Sequence, residues 1–185
     1  MDTLECIKAR RSVRKYKSDP IPPEKLNEVL EAFRLAPSWA NVQAWELVVV
    51  TDPAMKEKLQ DTLPKGNPAR NAMVQAPVVI AVCGVKGKSG MYKNEAVTAL
   101  GDWFMFDLGI AAQNLCLAAC ALGLGTVHAG YLDHNKASKL LGLPPETTVV
   151  ELVPLGFPDH EPKNPGRKAL AEFVHRDQYG KRWAE

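Results

Sequence analysis

A surplus of charge of one sign is missing: 23 Lys and Arg stand against 21 Asp and Glu, a net charge of +2 over 185 residues. Apart from one cluster near the start, the basic residues are scattered, which excludes the broad basic face of a nucleic-acid binder. Composition is 46% hydrophobic and 24% charged, which excludes wholesale disorder. The opening Met1-Asp2-Thr3-Leu4-Glu5 carries acid where an export signal needs a basic and then an apolar run, so a cytoplasmic protein is expected. Cysteine is sparse and unpaired in spacing. Cys6, Cys83, Cys116 and Cys120 form no C-x-x-C, and His128, His134, His160 and His175 are equally dispersed, so no metal site is expected. Cys116 and Cys120 fall four apart in an apolar run and read as small buried hydrophobes.

Several glycine-dependent motifs are also missing. Gly87-Lys88-Ser89 looks like the end of a phosphate loop, but that loop needs glycine at position 82, where Val82 stands. Gly123-Leu124-Gly125-Thr126 lacks the third glycine and the following helix of a dinucleotide fingerprint. There is no G-x-S-x-G and no arrangement that places Ser, His and Asp as a hydrolytic triad. Repeats, low-complexity tracts and interdomain linkers are lacking too, so residues 1–185 are expected to form one domain.

What is present begins with Arg10-Arg11-Ser12-Val13-Arg14, three guanidiniums and a hydroxyl in five residues. Guanidinium forks bind phosphate bidentately and stay charged at physiological pH. If the helix suggested by Glu5 to Ala9 continues, Arg10 and Arg14 share a face. A helix follows Pro22-Pro23-Glu24, with Leu26, Val29, Leu30 and Phe33 on one face until Pro37. Trp45–Val50 and Pro77–Gly84 read as buried strands, and Val149–Gly156 as a third; helices are expected after Asp52-Pro53 and over Asn67–Gln75. The alternation argues for a layered α/β or α+β domain.

From about Lys93 to Leu122 there is no proline and nearly every face is apolar. Roughly 30 helical residues would span about 45 Å, far across a domain whose radius of gyration is about 16 Å. Asp102, Asp107, Gln113 and Asn114 interrupt this stretch too often for a membrane span, so a second subunit is expected to cover it. Gly109 and Ala112 are candidate interface positions, and Glu95 and Asp102 read as surface or interface carboxylates on the same helix.

Pro37-Ser38-Trp39-Ala40-Asn41-Val42-Gln43-Ala44-Trp45 mixes hydrogen-bonding side chains with two indoles just before a buried strand, a mixture suited to a planar heteroaromatic ligand with a polyol tail. With the phosphate-binding start, the turn at Ala129-Gly130 and the late Arg167, the needs of FMN are covered.

Over nearly its whole length the chain resembles the nitroreductase family of FMN-dependent oxidoreductases. The resemblance rests on R-R-S-x-R at Arg10–Arg14, on A-P-S-x-x-N-x-Q-P-W at Ala36–Trp45 with Ala44 in place of the usual proline, and on Ala76-Pro77 before a strand. It continues with G-L-G-T at Gly123–Thr126 after the central helix, then Leu155-Gly156-Phe157-Pro158, Arg167 and Leu170–His175. It implies a nitroreductase-like α+β fold, a central mixed sheet flanked by helices, and a long central helix at a homodimer interface. It further implies that Arg10, Arg11, Ser12 and Arg167 hold the FMN phosphate and that Arg14 approaches the pyrimidine side of the flavin. Pro37, Ser38, Trp39 and Asn41 would reach the FMN from the partner subunit, with Ala129 and Gly130 near flavin N5 and His128 beside them. NADH or NADPH would give hydride to flavin N5, leave, and be followed by a small-molecule electron acceptor such as a nitroaromatic or quinone, with no side chain acting as a nucleophile. Reductive dehalogenation, dehydrogenation of a specific metabolite and a non-enzymatic flavin carrier or sensor stay open as alternatives.

Overall fold

β2 (Val78–Val85) is the centre of the molecule and shows why the fold takes its shape. Successive strand side chains point to opposite faces, and here both faces are covered. Val78, Ile80 and Val82 join Val29, Phe33, Leu108, Leu115 and Val153 in one core, whereas Val79, Ala81 and Cys83 join Val13, Leu59, Met73, Val149 and Leu152 in another. In the computed structural model, which describes residues 1–183 and leaves the last two outside the described residues, β2 lies between β1 (Trp45–Val50) and β6 (Thr147–Gly156). β5 (Gly125–Thr126) completes the order β1-β2-β6-β5. The named strand pairs are antiparallel, with Val48 opposite Ala81 and Ile80 opposite Val153. The parallel component of the expected mixed sheet is an isolated bridge, Ser12 to Thr126.

On one face lie α2 (Pro23–Arg34) and α5 (Phe104–Ala121); the other carries α3 (Pro53–Gln60), α4 (Ala72–Gln75) and α6 (His134–Leu140). α1 (Thr3–Ala9) precedes them, a hairpin of β3 (Met91–Tyr92) and β4 (Glu95–Ala96) projects before α5, and α7 (Leu170–Phe173) lies in the tail. α2 begins with proline at its first turn, as expected, and Asp52 and Asp133 cap α3 and α6 by accepting from Met55 N and Lys136 N.

Two expected helices are shorter. The stretch from Lys93 does not begin the central helix, because Lys93 and Asn94 take left-handed φ values of 48° and 65° and turn β3 back onto β4. Gly101, at φ 75°, and Asp102, which accepts from Phe104 N at 3.1 Å, then set the start of α5. Its 18 residues span about 27 Å. Glu95 and Asp102 therefore do not share a helix. Over 67–75 only α4 is helical, since the Asn67 side chain accepts from Ala69 N and holds a turn ahead of it.

α5 has one face in the core, through Asp107, Leu108, Ala111, Ala112, Leu115, Cys116 and Ala119. Its other face carries Met105 and Phe106, 55% and 58% exposed, and the exposed Gly109. Leu4 and Ile7 of α1 and Leu170 and Phe173 of α7 are exposed as well. Of the two candidate interface positions, Ala112 belongs to the chain's own core and Gly109 faces outward.

Candidate active site

α1 is closed at its start by a capping box between Asp2 and Glu5 and ends at Ala9. Arg10 leaves the helix at φ −52°, ψ 128°, and the chain runs extended beside β5, with Val13 N donating to Thr126 O at 2.9 Å. Arg10 and Arg14 thus do not share a helical face. The two-residue alternation of an extended segment sets Arg10, Ser12 and Arg14 opposite the buried Val13. Close docking depends on Gly125, where an added Cβ would lie 2.6–2.9 Å from three side-chain atoms of Val13.

This segment and the tail enclose a cavity of about 480 Å³ lined by Arg10, Arg11, Ser12, Arg14 and Arg167, together with His160, Glu161, Pro162, Lys163 and Pro165. The sequence-predicted phosphate residues therefore meet in one place across 150 residues of chain. Their local hydrogen bonds are few and weakly committing: Arg11 Nη1 donates to Lys8 O at 2.6 Å, Arg14 Nη1 to Ser12 O at 3.3 Å and Arg167 Nη1 to Gly166 O at 2.6 Å. Arg14 Nε is buried with no acceptor among the described residues, and native interiors pair such a donor with protein, ordered water or a ligand.

The Pro37–Trp45 loop is elsewhere. Pro37, Ser38 and Trp39 line a separate pocket of about 220 Å³ with Trp103, Phe106, Asp107 and Ile110. Asp107 is buried and uses both carboxylate oxygens, accepting from Trp39 N at 3.0 Å and from Ser89 Oγ at 2.6 Å. The Trp39 and Trp103 rings lie 5.0 Å apart, tilted by 46°. Ala40, Asn41 and Gln43 adopt left-handed φ values of 43°, 56° and 49°, and Ser38 Oγ steadies the turn by accepting from Gln43 N. Such strain concentrates at functional sites. Asn41 is exposed and accepts from Gln43 Nε2. Ala44, which departs from the family pattern, is buried, and its carbonyl accepts from Val85 N. The anchoring role of Asp107 belongs to no motif; its one sequence signal is that it is the lone acid in an apolar helix.

His128, Ala129 and Gly130 lie outside the lining of the arginine cavity. Ala129 exchanges two hydrogen bonds with Leu152, while Gly130 is exposed. His128 is not a free neighbour of that turn: Nε2 is 3.4 Å from Cys116 Sγ and Nδ1 is 2.8 Å from Glu151 Oε2. These contacts, first with Cys116 and then with Glu151, outweigh burial and push His128 up to about 10. A raised value means stabilisation that is complete below the ordinary pKa of about 6.5 and lost as pH rises through about 10. Glu151→Gln is therefore expected to be less stable than the parent at pH 6, with the gap closing above pH 10 (urea midpoints measured at both). A gap independent of pH would refute the pair. Neither the Cys116 nor the Glu151 contact has a local sequence signal.

Among the described residues no group of three or more His, Cys, Asp or Glu side chains is placed to hold a metal ion. The hydrogen-bonding and cationic groups suit a phosphorylated organic ligand at the arginine cavity, with an aromatic loop lining a separate pocket.

Comparison with known proteins shows the family to which the chain belongs. The NADPH-flavin oxidoreductase of Vibrio harveyi is 33% identical over 184 residues, covering 96% of this chain and 75% of its own. The NADH dehydrogenase of Thermus thermophilus is 31% identical, over 87% of this chain and 89% of its own. Among solved structures, the NADPH:FMN oxidoreductase of Vibrio harveyi complexed with NAD+ superposes with a TM-score of 0.82 at 31% identity, covering 97% of this chain and 78% of that one. The model of the nitroreductase family matches residues 7–157. With the family's motifs gathered on one fold, this chain belongs to the nitroreductase family.

Proposed function

We propose that the chain is a single FMN-binding domain that works as an NAD(P)H-dependent oxidoreductase on an electrophilic organic acceptor. The observation that carries this reading is the buried, unpartnered Arg14 Nε in a cavity shared with Arg10, Arg11, Ser12 and Arg167. An N–H donor of a permanent cation, placed where three more guanidiniums converge, fits a ligand with a polyanionic end and a hydrogen-bond acceptor further in. FMN has both. The V. harveyi relative named for NADPH and FMN supports the same assignment.

FMN held there would supply two-electron chemistry between NADH or NADPH and an acceptor such as a nitroaromatic or quinone. Arg10, Arg11, Ser12 and Arg167 hold its phosphate, and Arg14 orients the ring and sets a fixed positive charge beside it. Ala129 and Gly130 border the ring, on a turn pinned by the paired Ala129. Pro37, Ser38, Trp39 and Asn41 cover the flavin of the partner subunit; none of them lines the arginine cavity of its own chain, and this together with the exposed apolar face of α5 supports a homodimer with shared sites.

Denaturing the purified protein is expected to release about one FMN per subunit, and anaerobic NADH or NADPH to bleach the bound flavin. Release of FAD, or of no flavin after reconstitution, would overturn the cofactor assignment; failure of both nucleotides to bleach it would favour a carrier. Arg14→Ala is expected to slow flavin reduction more than it loosens FMN, and Arg167→Ala to loosen FMN chiefly, since it removes one charge-assisted phosphate contact. Equal retention and equal reduction rates in the two variants would refute this division.

A further inference from the structure

We propose that His160 is a further phosphate contact, donating from Nδ1, and that it helps select FMN over unphosphorylated flavin. The inference rests on the FMN reading above. Two buried side-chain nitrogens have no hydrogen-bond partner among the described residues, Arg14 Nε and His160 Nδ1, and both residues line the same cavity. A buried polar atom without a partner is costly, so two of them on one cavity point to a single ligand that satisfies both.

The position of His160 is built. Lys17 N donates to Phe157 O at 2.9 Å, Tyr16 bridges to Pro158, and Asp159 N donates to Lys15 O at 3.0 Å. These bonds hold the backbone entering residue 160 against the strand that carries Arg14. His160 Nδ1 itself is buried.

The phosphate end is favoured over the ring end by what surrounds the histidine. His160 borders both this cavity and its larger neighbour of about 810 Å³ together with Arg10, Arg11 and Lys163, so it keeps company with two of the assigned phosphate residues, whereas Ser12, Arg14 and Arg167 border only the first. The sole carboxylate in the shared lining is Glu161, which is exposed. Among these cations an anionic ester is the natural partner, and all its oxygens are acceptors. The imidazole must then carry its proton on Nδ1 to donate.

The test is the affinity for FMN and for riboflavin of the parent protein, stripped of flavin and titrated by flavin fluorescence, and of three variants. His160→Leu is expected to weaken FMN about tenfold, the scale of one hydrogen bond to a charged group, and to leave riboflavin affinity unchanged. His160→Asn, whose amide nitrogen can take the place of Nδ1, should recover FMN binding; His160→Gln, which reaches instead toward the Nε2 position, should not. Equal losses for FMN and riboflavin, or equal behaviour of Asn and Gln, would overturn the proposal, and the Asn and Gln comparison decides it if the Leu variant fails to fold. A parent protein that binds no FMN would instead sink the cofactor reading, so the two failures are distinguishable.

Discussion

Gly125→Ala is expected to strip the flavin from this protein and to lower its melting temperature. The new Cβ would sit 2.6 Å from Val13 Cγ2, 2.7 Å from Val13 Cβ and 2.9 Å from Val13 Cγ1. Val13 cannot swing aside: it is β-branched and stiff at χ1, buried in the core, and its backbone N–H is committed to Thr126 O. The strain must pass to the backbone of residues 10–14, which carries Arg10, Ser12 and Arg14 into the cavity. Overpacking of this kind costs about 1–3 kcal/mol, or roughly 2–12 °C in Tm for a domain of this size. The flavin loss should be disproportionate, because guanidinium contacts to phosphate depend on geometry as well as charge. Adding Val13→Gly, which removes all three of these atoms where alanine would leave the Cβ at 2.7 Å, should relieve the clash, so the double variant is expected to hold more flavin than Gly125→Ala alone, a coupling of neighbours that additivity would not give. Gly125→Ala with full flavin content and an unchanged Tm would remove the basis for this account.

Gly109→Glu and Ala112→Glu should behave in opposite ways despite being three residues apart on α5. A Cβ at Gly109 meets nothing within 4 Å, so glutamate there leaves the chain's own fold intact and, in the proposed homodimer, sets a charge against the partner subunit. Ala112 is 2% exposed and packed in the core with Leu108 and Leu115. An unpaired charge there costs on the order of 3–5 kcal/mol, a large part of the roughly 5–15 kcal/mol that holds a domain together. Gly109→Glu is expected to yield a folded monomer that has lost FMN, and Ala112→Glu an unfolded or aggregated chain. If sites are shared between subunits, FMN binding and dimerisation are linked by mass action, and sedimentation of the flavin-free and FMN-loaded parent over a dilution series should find the loaded form dimeric to lower concentration. A Gly109→Glu monomer that keeps stoichiometric FMN would end the shared-site reading.

Local chemistry determined much of this protein. The alternating, uniformly apolar Val78–Val82 run reads as a doubly covered strand and is one. Pro23 opens α2, which ends at Arg34 shortly before Pro37, and Arg10 to Arg14 marks the cation cluster. Each rests on signals within a few residues, such as side-chain alternation, fixed proline φ and charge density. Tertiary structure alone decided what depends on distant partners. Arg10 to Arg14 is extended rather than helical because β5 supplies its hydrogen bond, 113 residues away between Val13 and Thr126. The start of α5 was obscured because apolar composition does not distinguish a helix from a hairpin turned by Lys93 and Asn94. Asp107 reaching Trp39, and His128 placed between Cys116 and Glu151, likewise follow from packing of separate elements. The same packing divides the expected ligand contacts between two pockets, since Arg10 and Arg11 lie by Cys116 and Cys120 toward the end of α5 and the Trp39 loop lies by Phe106 and Asp107 at its start.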